Sequence, residues 1–326
     1  MSSGQSFFGC VAAAFPTRAI AGSKAVAFVW RMLFYGFRPS ESFRFITPHY
    51  TLWVSPRRDS LTRAVIRRGI WERFETRIFD ALLGDGGDVV DIGANFGHYA
   101  MVASNRLGPE AKIFAFGPCP APFAELSANI ALQPFANVSV QQMALCDSTG
   151  SATFYRDGSN PGGHSLGATN PGASDGSFEV PTDTLDNFLA TRTDSARRIG
   201  LIKSDCQGAD FRVLRGAVGT LARHRPYMLA EFWPQGMRDC GDDPRAFVAT
   251  LRTSRYRPFY LSPTQDAAVE LTSAGLEFYL AAPKPEYLDL LLIPEEKLAR
   301  AAQLLGPRLI MPSEKPDGAE SGPPVV

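Results

Sequence analysis

Apolar and polar residues alternate in blocks through the middle of this chain of 326 residues. Short apolar runs of strand length are separated by longer stretches in which apolar residues recur at helical spacing. We therefore expect an α/β protein with a mainly parallel sheet and helices on both faces. The pattern predicts strands at 88–92, 112–116, 137–142, 199–204 and 227–232, with helices at 98–107, 121–132, 183–191 and 209–223.

Both flanks of this region also carry periodic apolar residues. A helix is predicted from Leu61 to Leu83, where a group of glycines ends it. Toward the C-terminus the pattern predicts a helix at 244–253 and strands at 257–261 and 288–293.

One long insertion interrupts the alternation. Two short strands, Ser151–Tyr155 and Phe178–Val180, flank a loop at 157–176 that is rich in Gly, Ser, Asn and Pro. A loop of this length is rarely a simple connection, and it lies near the strand ends where open α/β sheets bind ligands. We expect it to lie beside a bound ligand, although disorder explains its composition equally well.

Composition divides the chain into an N-terminal helical or extended extension at 1–60, an α/β domain at 61–300, and a Pro- and Gly-rich tail at 301–326 that is expected to be mobile. Within the extension, residues 19–37 are apolar except for cations spaced seven residues apart, which excludes a transmembrane span. On a helix these cations share one face. The segment is interpreted as a terminal helix packed on its own domain, with peripheral membrane contact as the alternative.

Charge and cysteine usage narrow the possible partners. The 33 basic and 33 acidic residues cancel, so nothing draws the protein as a whole to nucleic acid, and a small-molecule or saccharide partner is more natural. Five widely spaced cysteines without a C-x-x-C pair argue against a disulfide framework and a zinc site, and they favour a reducing, cytoplasmic location. The four histidines are too scattered to predict a metal site.

The most informative motif follows the first predicted sheet strand. Asp91 ends the strand, and Gly93, Asn95 and Gly97 follow in a tight turn before the next helix. Small residues in such a turn let the backbone approach a ligand, and the helix that follows directs free N–H groups toward it. The glycine triplet G-x-G-x-x-G of dinucleotide sites is missing. The spacing instead favours S-adenosylmethionine, with a structural turn that binds no ligand as the alternative.

Several further motifs follow in order between about Gly69 and Trp233. Together with the turn described above they are Phe116-Gly117-Pro118, Leu126 with Asn129, Ala144 to Asp147, Pro181 to Asp186, Lys203-Ser-Asp205-Cys-Gln207-Gly208, Leu214 to Ala217, and Arg225 to Glu231. In their order and spacing these motifs resemble the FkbM family of S-adenosylmethionine-dependent methyltransferases. The resemblance implies a class I Rossmann-like sheet with a final antiparallel strand, and methyl transfer to a hydroxyl group of a sugar or another small acceptor.

The resemblance assigns roles to the residues of the turn. Asp91 would orient the loop or hold the ammonium group of the cofactor, unless it only caps a helix. Asn95 would bind the amino-acid end of the cofactor, unless it is chosen for left-handed geometry. Gly93 and Gly97 would permit close approach, and Asp147 would contact the adenine region or end a strand in a turn.

The chain departs from the family pattern at two acidic positions. Gly117 stands where the family usually has a Glu that accepts hydrogen bonds from the ribose hydroxyls. Loss of that acceptor is expected to cost about 1.5–3 kcal/mol of binding free energy. The second position is Gln207, an amide in place of a carboxylate.

Two residues are candidates for catalysis. Asp205 is expected at the end of a strand, facing the reacting methyl group, with a helix cap as the alternative. His164, on the long loop, has the right chemistry for a general base near neutral pH, with an exposed loop histidine as the alternative.

The leading interpretation is therefore an S-adenosylmethionine-dependent O-methyltransferase. A degenerate relative that keeps the fold but serves in binding or assembly is the second hypothesis. A dinucleotide oxidoreductase is disfavoured by the missing glycines, and the sequence leaves the oligomeric state open.

Overall fold

A computed structural model describes residues 42–54, 64–65, 68–157, 163–167, 176–192, 197–281 and 287–311. The predicted N-terminal helix at 19–37, much of the loop at 157–176 and the last fifteen residues, 312–326, lie outside the described residues.

The described chain forms strands and helices in the predicted alternation. The strands are β1 (Phe43–Ile46), β2 (Thr51–Val54), β3 (Asp88–Ile92), β4 (Ile113–Phe116), β5 (Val138–Gln141), β6 (Ala144–Leu145), β7 (Gly150–Tyr155), β8 (Ser177–Asp183), β9 (Ile199–Ser204), β10 (Tyr227–Phe232), β11 (Tyr256–Ser262), β12 (Ala267–Glu270), β13 (Leu288–Pro294) and β14 (Leu309–Ile310). The helices are α1 (Arg73–Leu82), α2 (His98–Leu107), α3 (Pro120–Ile130), α4 (Leu185–Ala190), α5 (Asp210–Arg215), α6 (Val218–His224), α7 (Pro234–Asp239), α8 (Pro244–Thr253), α9 (Ser273–Ala281) and α10 (Leu298–Leu305).

Nine of these strands form one sheet in the order β14-β12-β11-β13-β10-β9-β3-β4-β5. Strands β5, β4, β3, β9 and β10 are parallel, whereas β13 lies antiparallel between β10 and β11. Strands β12 and β14 also run opposite to the parallel strands. The mainly parallel part of the sheet and the antiparallel β13 beside it agree with a Rossmann-like α/β fold, so the predicted fold class is confirmed. The order reverses at β3, where the chain leaves the sheet first toward β4 and later toward β9.

Helices cover both faces of this sheet and bury a separate apolar layer on each. Val89 of β3 packs into the layer that includes Ile78 of α1 and Met101 of α2. Its neighbour Val90 packs into the other layer, with Phe211 of α5. The two valines face opposite layers because successive side chains of a strand alternate between faces.

Three predicted helices differ from those observed, and backbone geometry explains each difference. The helix predicted from Leu61 to Leu83 is interrupted at Gly69 and Glu72, which adopt left-handed φ angles of 77° and 41°, so α1 begins only at Arg73. Such angles cannot continue a right-handed helix.

The helix predicted at 209–223 is two helices, α5 and α6. The chain breaks at Gly216, where a Cβ atom would lie 1.9 Å from the carbonyl oxygen of Cys146. The helix predicted at 183–191 starts later because β8 continues to Asp183, and the Thr184 hydroxyl then accepts the N–H of Asn187 as the N-cap of α4.

Packed structure extends beyond the domain limits that the sequence predicts. The hairpin of β1 and β2 lies in the predicted N-terminal extension, yet it buries Phe45 and Leu52 in the same layer as α1. At the other end, α10 crosses residue 300, and β14 pairs with β12. The folded part of the described chain therefore reaches Ile310. No helix within the described ranges combines the length and the apolar character needed to cross a membrane.

Candidate functional site

Two cavities adjoin at the carboxyl ends of the parallel strands, where the strand order reverses. We call them the apolar cavity and the anionic cavity. Both are lined by Gly93, Asn95, Asp205 and Gln207, which come from the turns after β3 and β9. The apolar cavity, of about 650 Å³, is further lined by Ile92, Phe116, Gly117, Pro118, Cys119, Pro122, Met143, Ala144, Leu145, Phe154, His164, Leu166, Cys206 and Ala209. The anionic cavity, of about 1170 Å³, is further lined by Trp71, Glu72, Asp91, Ala94, Phe96, His98, Tyr99, Lys203, Glu231, Trp233, Tyr287 and Asp289.

The turn after β3 adopts left-handed geometry at Gly93, Asn95 and Gly97, with φ angles of 78°, 50° and 95°. A Cβ atom on Gly93 would lie 2.0 Å from the carbonyl oxygen of Asp205, so this glycine lets two backbone turns touch. The sequence interpretation placed ligand in that space, and the structure corrects it: the neighbouring chain fills it. Gly93 still forms part of the wall shared by the two cavities.

Gly97 serves packing between helices. It precedes α2, and a Cβ atom there would lie 2.7 Å from Cδ1 of Leu126 on α3. Gly97 lines neither cavity, so its predicted approach to the cofactor is corrected to an approach between helices. Asn95 has the predicted left-handed geometry and lines both cavities, and its bond to the amino-acid end of the cofactor stays a prediction.

Asp91 lies at the end of β3 and is buried. Its Oδ2 atom accepts the backbone N–H of Ala100 at 2.9 Å, in the first turn of α2. The carboxylate therefore anchors the helix and also lines the anionic cavity. Burial raises the pKa of Asp91 to about 7.

Gly117 leaves space at the end of β4. A Cβ atom there would meet only Cδ2 of Leu126, at an ordinary distance of 3.9 Å. Gly117 lines the apolar cavity, so a longer side chain at this position would have space beside the cavity wall. The neighbouring carboxylate of Glu125, on α3, is exposed and lines neither cavity, so it does not take the place of the missing acceptor.

Asp147 lies outside both cavities and is not placed to contact a cofactor. It forms an ion pair with Arg215 in which Nη2 and Oδ2 are 2.6 Å apart, on the exposed side of α5. The predicted adenine contact is therefore corrected to a surface ion pair that ties the turn after β6 to α5.

His164 does line a cavity, but the apolar one. Its Nδ1 accepts the backbone N–H of Asp157 at 2.9 Å, and its ring lies edge-on to Phe154. Burial lowers the pKa of His164, so the ring is neutral near pH 7. It shares the apolar cavity with Asp205 and does not line the anionic cavity.

Among the residues that the structure describes, Lys203, near the end of β9, is the one cation that lines the anionic cavity, and it is buried. Its Nζ atom lies 3.6 Å from Oδ2 of Asp205 and 5.3 Å from the centroid of the Tyr99 ring. Burial opposes its charge, but the carboxylates of Asp205, Glu72 and Asp289 outweigh burial and raise the pKa of Lys203. Lys203 is therefore charged and held by several anions.

Asp205 is brought to the shared wall, as the sequence predicts for a strand-end residue. The side-chain amide of Gln207 donates to its Oδ1 at 2.9 Å and to Oε1 of Glu231 at 3.4 Å. An ionised Glu at 207 has no proton to donate to either group. The amide of Gln207 thus bridges the carboxylates of Asp205 and Glu231. The Glu that the family has at this position would be repelled by both carboxylates.

Sequence reasoning missed the residues that close the far side of the anionic cavity. Glu72 comes from the turn before α1, and its Oε2 accepts the hydroxyl of Tyr99 at 2.6 Å. Burial raises the pKa of Glu72 to about 7. Asp289 is the polar second residue of the apolar strand β13, an irregularity that could have been noticed, and burial raises its pKa to about 6.

A buried chain of hydrogen bonds supports this wall from behind. The Thr76 hydroxyl donates to the carbonyl of Trp71, so it can only accept from Nε2 of His98, at 2.7 Å. Nδ1 of His98 then accepts the Tyr50 hydroxyl, also at 2.7 Å. Burial lowers the pKa of His98 to about 3, which keeps the ring neutral as this chain requires. The hairpin of β1 and β2 is thereby tied to the turn that carries Glu72.

Within the described residues, no group of three or more His, Cys, Asp or Glu side chains is arranged to hold a metal ion.

Known proteins are similar to the part of the chain that contains the turn after β3 and the parallel strands. The sequence model of the family described as "Methyltransferase FkbM domain" matches residues 91–257, which is about half of the chain. Methyltransferase 1 of Beauveria bassiana (strain ARSEF 2860) is 30% identical over 164 residues, which cover 44% of this chain and 64% of that protein. The chain thus spans less than two thirds of the length of this curated relative.

Solved structures also align with the chain. Methyltransferase FkbM from Methylobacillus flagellatus KT is 11% identical, with 71% of this chain and 60% of that chain covered and a TM-score of 0.37. A putative O-methyltransferase from Klebsiella pneumoniae is 11% identical, with 67% and 80% covered and a TM-score of 0.39. The match to the family model covers the turn after β3 and the strands β4 to β10, whereas Glu72 and Asp289 of the anionic cavity lie outside it. It confirms the resemblance found in the sequence: the chain belongs to the methyltransferase FkbM domain family.

Proposed function

We propose that this protein is an S-adenosylmethionine-dependent methyltransferase that methylates a hydroxyl group of a sugar or another small acceptor. The observation that carries the proposal is the pair of adjoining cavities, one apolar and one anionic, at the carboxyl ends of β3 and β9. S-adenosylmethionine has the matching asymmetry, with a flat nucleoside at one end and an ammonium-bearing amino acid at the other.

The residues present fit most of this cofactor. The apolar cavity offers Phe116, Leu145 and Met143 to a nucleoside. On the other side of the shared wall, Asp91 and Asn95 offer a carboxylate and an amide to an amino-acid end. The ribose is the exception, because Gly117 has no side chain with which to accept its hydroxyls.

When bound, the cofactor supplies an electrophilic methyl group on a sulfonium. The chain has to place an acceptor hydroxyl in line with that group and receive the hydroxyl proton. Asp205 lies on the shared wall and is suited to orient the acceptor, and Lys203 and Gln207 hold it in place.

A base for the proton is available in the anionic cavity. Glu72 has a pKa raised by burial to about 7, so it can exchange a proton near neutral pH. His164 lines the apolar cavity, and we assign the proton to Glu72 in its place.

Calorimetric titration with S-adenosylhomocysteine tests the proposal. We expect binding in about the micromolar range, because most of the cofactor contacts are present and one hydrogen-bonding acceptor is lost. The matched control is NAD⁺, which contains the same adenosine but whose pyrophosphate the missing glycine triplet cannot receive. Heat with NAD⁺ alone, or with neither ligand, would count against a methyltransferase.

A degenerate protein that keeps the fold for binding or assembly is the second candidate. The observation that favours it is the lack of a carboxylate at both Gly117 and Gln207. Absence of heat with S-adenosylhomocysteine is the result that this candidate predicts.

The remaining expectations about partners complete the proposal. The balanced charge supports a protein that does not bind nucleic acid. Cys119, Cys146, Cys206 and Cys240 are free thiols, which supports a reducing, cytoplasmic location. Peripheral membrane contact through the N-terminal segment concerns residues outside those described.

A further inference from the structure

Two carboxylates face each other across neighbouring strands in the anionic cavity. Glu231 of β10 and Asp289 of β13 are direct partners in the antiparallel register, and both line the cavity. Like charges directly opposite each other destabilise a sheet. Burial and the neighbouring carboxylates raise the pKa of Glu231 well above its ordinary range, so a ligand that carries positive charge would favour the ionised form of the pair.

Glu231 also has an unused hydrogen-bonding atom. The residue is 5% exposed, and its Oε2 accepts no hydrogen bond within the described part of the chain. Its other oxygen receives only the 3.4 Å contact from Gln207. A buried carboxylate oxygen without a donor costs free energy, and a ligand that supplies a donor removes the cost.

The protein's own cation pairs more closely with another carboxylate than with either member of this pair. Lys203 is within 4 Å of Asp205, where Nζ and Oδ2 are 3.6 Å apart, and no such ion pair is formed by Glu231 or Asp289 among the described residues. The cavity therefore has a surplus of acidic groups on the side of β10 and β13.

Two aromatic rings adjoin the carboxylates. Trp233 follows Glu231 by two residues and Tyr287 precedes Asp289 by two, so both fall on the cavity side of the chain, and both line it. Tyr287 is 59% exposed, which leaves its ring accessible at the cavity mouth. Aromatic faces beside carboxylates are the surroundings that a protonated amine prefers, because both attract positive charge.

We propose that Glu231, Asp289, Trp233 and Tyr287 form a subsite for a protonated amine on the methyl acceptor, which is thus an amino alcohol or an amino sugar. The subsite rests on the proposed function, since it lies beside the wall on which the acceptor hydroxyl is to be placed. A neutral polyol would satisfy the free oxygen of Glu231 but would leave the repulsion between the two carboxylates in place. A cation satisfies the oxygen and removes the repulsion.

Matched pairs of small probes test this proposal on the full chain loaded with S-adenosylhomocysteine. Each pair differs in its amine: ethanolamine with ethylene glycol, tyramine with 4-ethylphenol, and glucosamine with glucose. Binding is measured by ligand-observed NMR at neutral pH and low ionic strength. We expect the amine of each pair to bind at least about tenfold more tightly than its neutral partner.

Variants then locate the binding. Glu231→Gln and Asp289→Asn should each lower the affinity for the amines by about tenfold and leave the neutral probes unchanged. The matched control is Glu277→Gln. Glu277 is an exposed carboxylate on α9 that pairs with Arg245 on α8, and its substitution should leave the affinity for every probe unchanged. Titration of each variant with S-adenosylhomocysteine shows whether it is folded and still binds the cofactor product.

The outcomes separate this proposal from the proposed function. Equal binding of amines and neutral partners, absence of amine binding, or amine binding that survives in both variants would overturn the subsite while cofactor binding stands. Loss of S-adenosylhomocysteine binding in the unaltered protein would instead overturn the methyltransferase. Amine selectivity can still be measured in that case, because the probes are also titrated into the protein alone.

Discussion

The apolar and anionic cavities share a wall but are built on different physical terms. The apolar cavity has hydrophobic side chains from several strand ends, and the departure from the family pattern that it does not share with the anionic cavity is a missing side chain at Gly117. The anionic cavity holds carboxylates at a cost, since burial raises the pKa of Asp91, Glu72 and Asp289 well above the ordinary range. One cavity is thus stable without a ligand, whereas the other stores unfavourable charge that a cationic ligand can relieve.

The largest effect is expected at the wall that both cavities share. Gly93→Val places a Cβ atom within 2.0 Å of the Asp205 carbonyl oxygen and forces a branched residue into a φ angle of 78°. We expect a loss of more than about 3 kcal/mol of unfolding free energy, measured by denaturant titration. Gly275→Ala is the control, because a Cβ atom there meets its nearest neighbour at 3.5 Å. Equal stability of the two variants would mean that the wall does not need this close approach.

The next largest effect is expected for the pH dependence of the free energy of unfolding, to which the anionic cavity should contribute and the apolar cavity should not. The pKa of Asp289 is raised from 3.8 to about 6 by burial, so the folded protein binds the proton more tightly than the unfolded chain. The free energy of unfolding should therefore fall as pH rises from about 4 to about 6, and remain lowered above that window. In Asp289→Asn this fall should be smaller, by about 1–3 kcal/mol.

Unfolding of the Asp289→Asn variant and the unaltered protein is compared at pH 4 and pH 8. Gly117→Ala, in the apolar cavity, serves as control and should show the same pH dependence as the unaltered protein. A variant Asp289→Asn that follows the unaltered curve at both pH values would show that Asp289 is not held at an electrostatic cost.

An intermediate effect is expected from the apolar cavity. Gly117→Glu should increase the affinity for S-adenosylhomocysteine by about tenfold, or about 1.4 kcal/mol, because a carboxylate would gain the ribose hydroxyls as donors. The variant Gly117→Gln is the matched control, with nearly the same shape but no charge, and should gain less. Calorimetry measures both, and an unchanged or weaker affinity in Gly117→Glu would mean that the vacant position does not face the ribose.

The smallest effect concerns the amide between the carboxylates. Gln207→Glu restores the family residue but removes the donor to Asp205 and Glu231. We expect a loss of about 1 kcal/mol of unfolding free energy at pH 8 that disappears at pH 4, where the new side chain is protonated and can donate. Thermal unfolding at the two pH values measures it, and a stability loss of the same size at pH 4 would point to shape instead of charge.

Much of the fold could be predicted because local periodicity decides it. The bounds of β3, α2, β9, β10 and α8 agree with the sequence prediction to the residue, since each combines a clear apolar pattern with a clear stop. The errors lie where distant chain decides the backbone. Gly216 breaks a helical pattern because Cys146 lies against it, and the short strand β14 exists only because β12 offers an edge.

The candidate site was predicted unevenly for the same reason. Asp91, Asn95 and Asp205 follow strands, and the carboxyl ends of parallel strands meet at one edge, so the sequence brings them together correctly. Asp147 also follows a strand, but β6 belongs to a separate small sheet, and its side chain turns to Arg215. Glu72 and Asp289 carry no local signal that joins them to the others.

The sequence by itself determined the family, the order of the elements and the turn after β3, because these depend on neighbours in the chain. Only the tertiary structure decided which charges share a cavity. Glu231 and Asp289 are far apart in sequence and become partners through the reversed strand β13, a pairing that depends on the register between two strands and not on either strand alone.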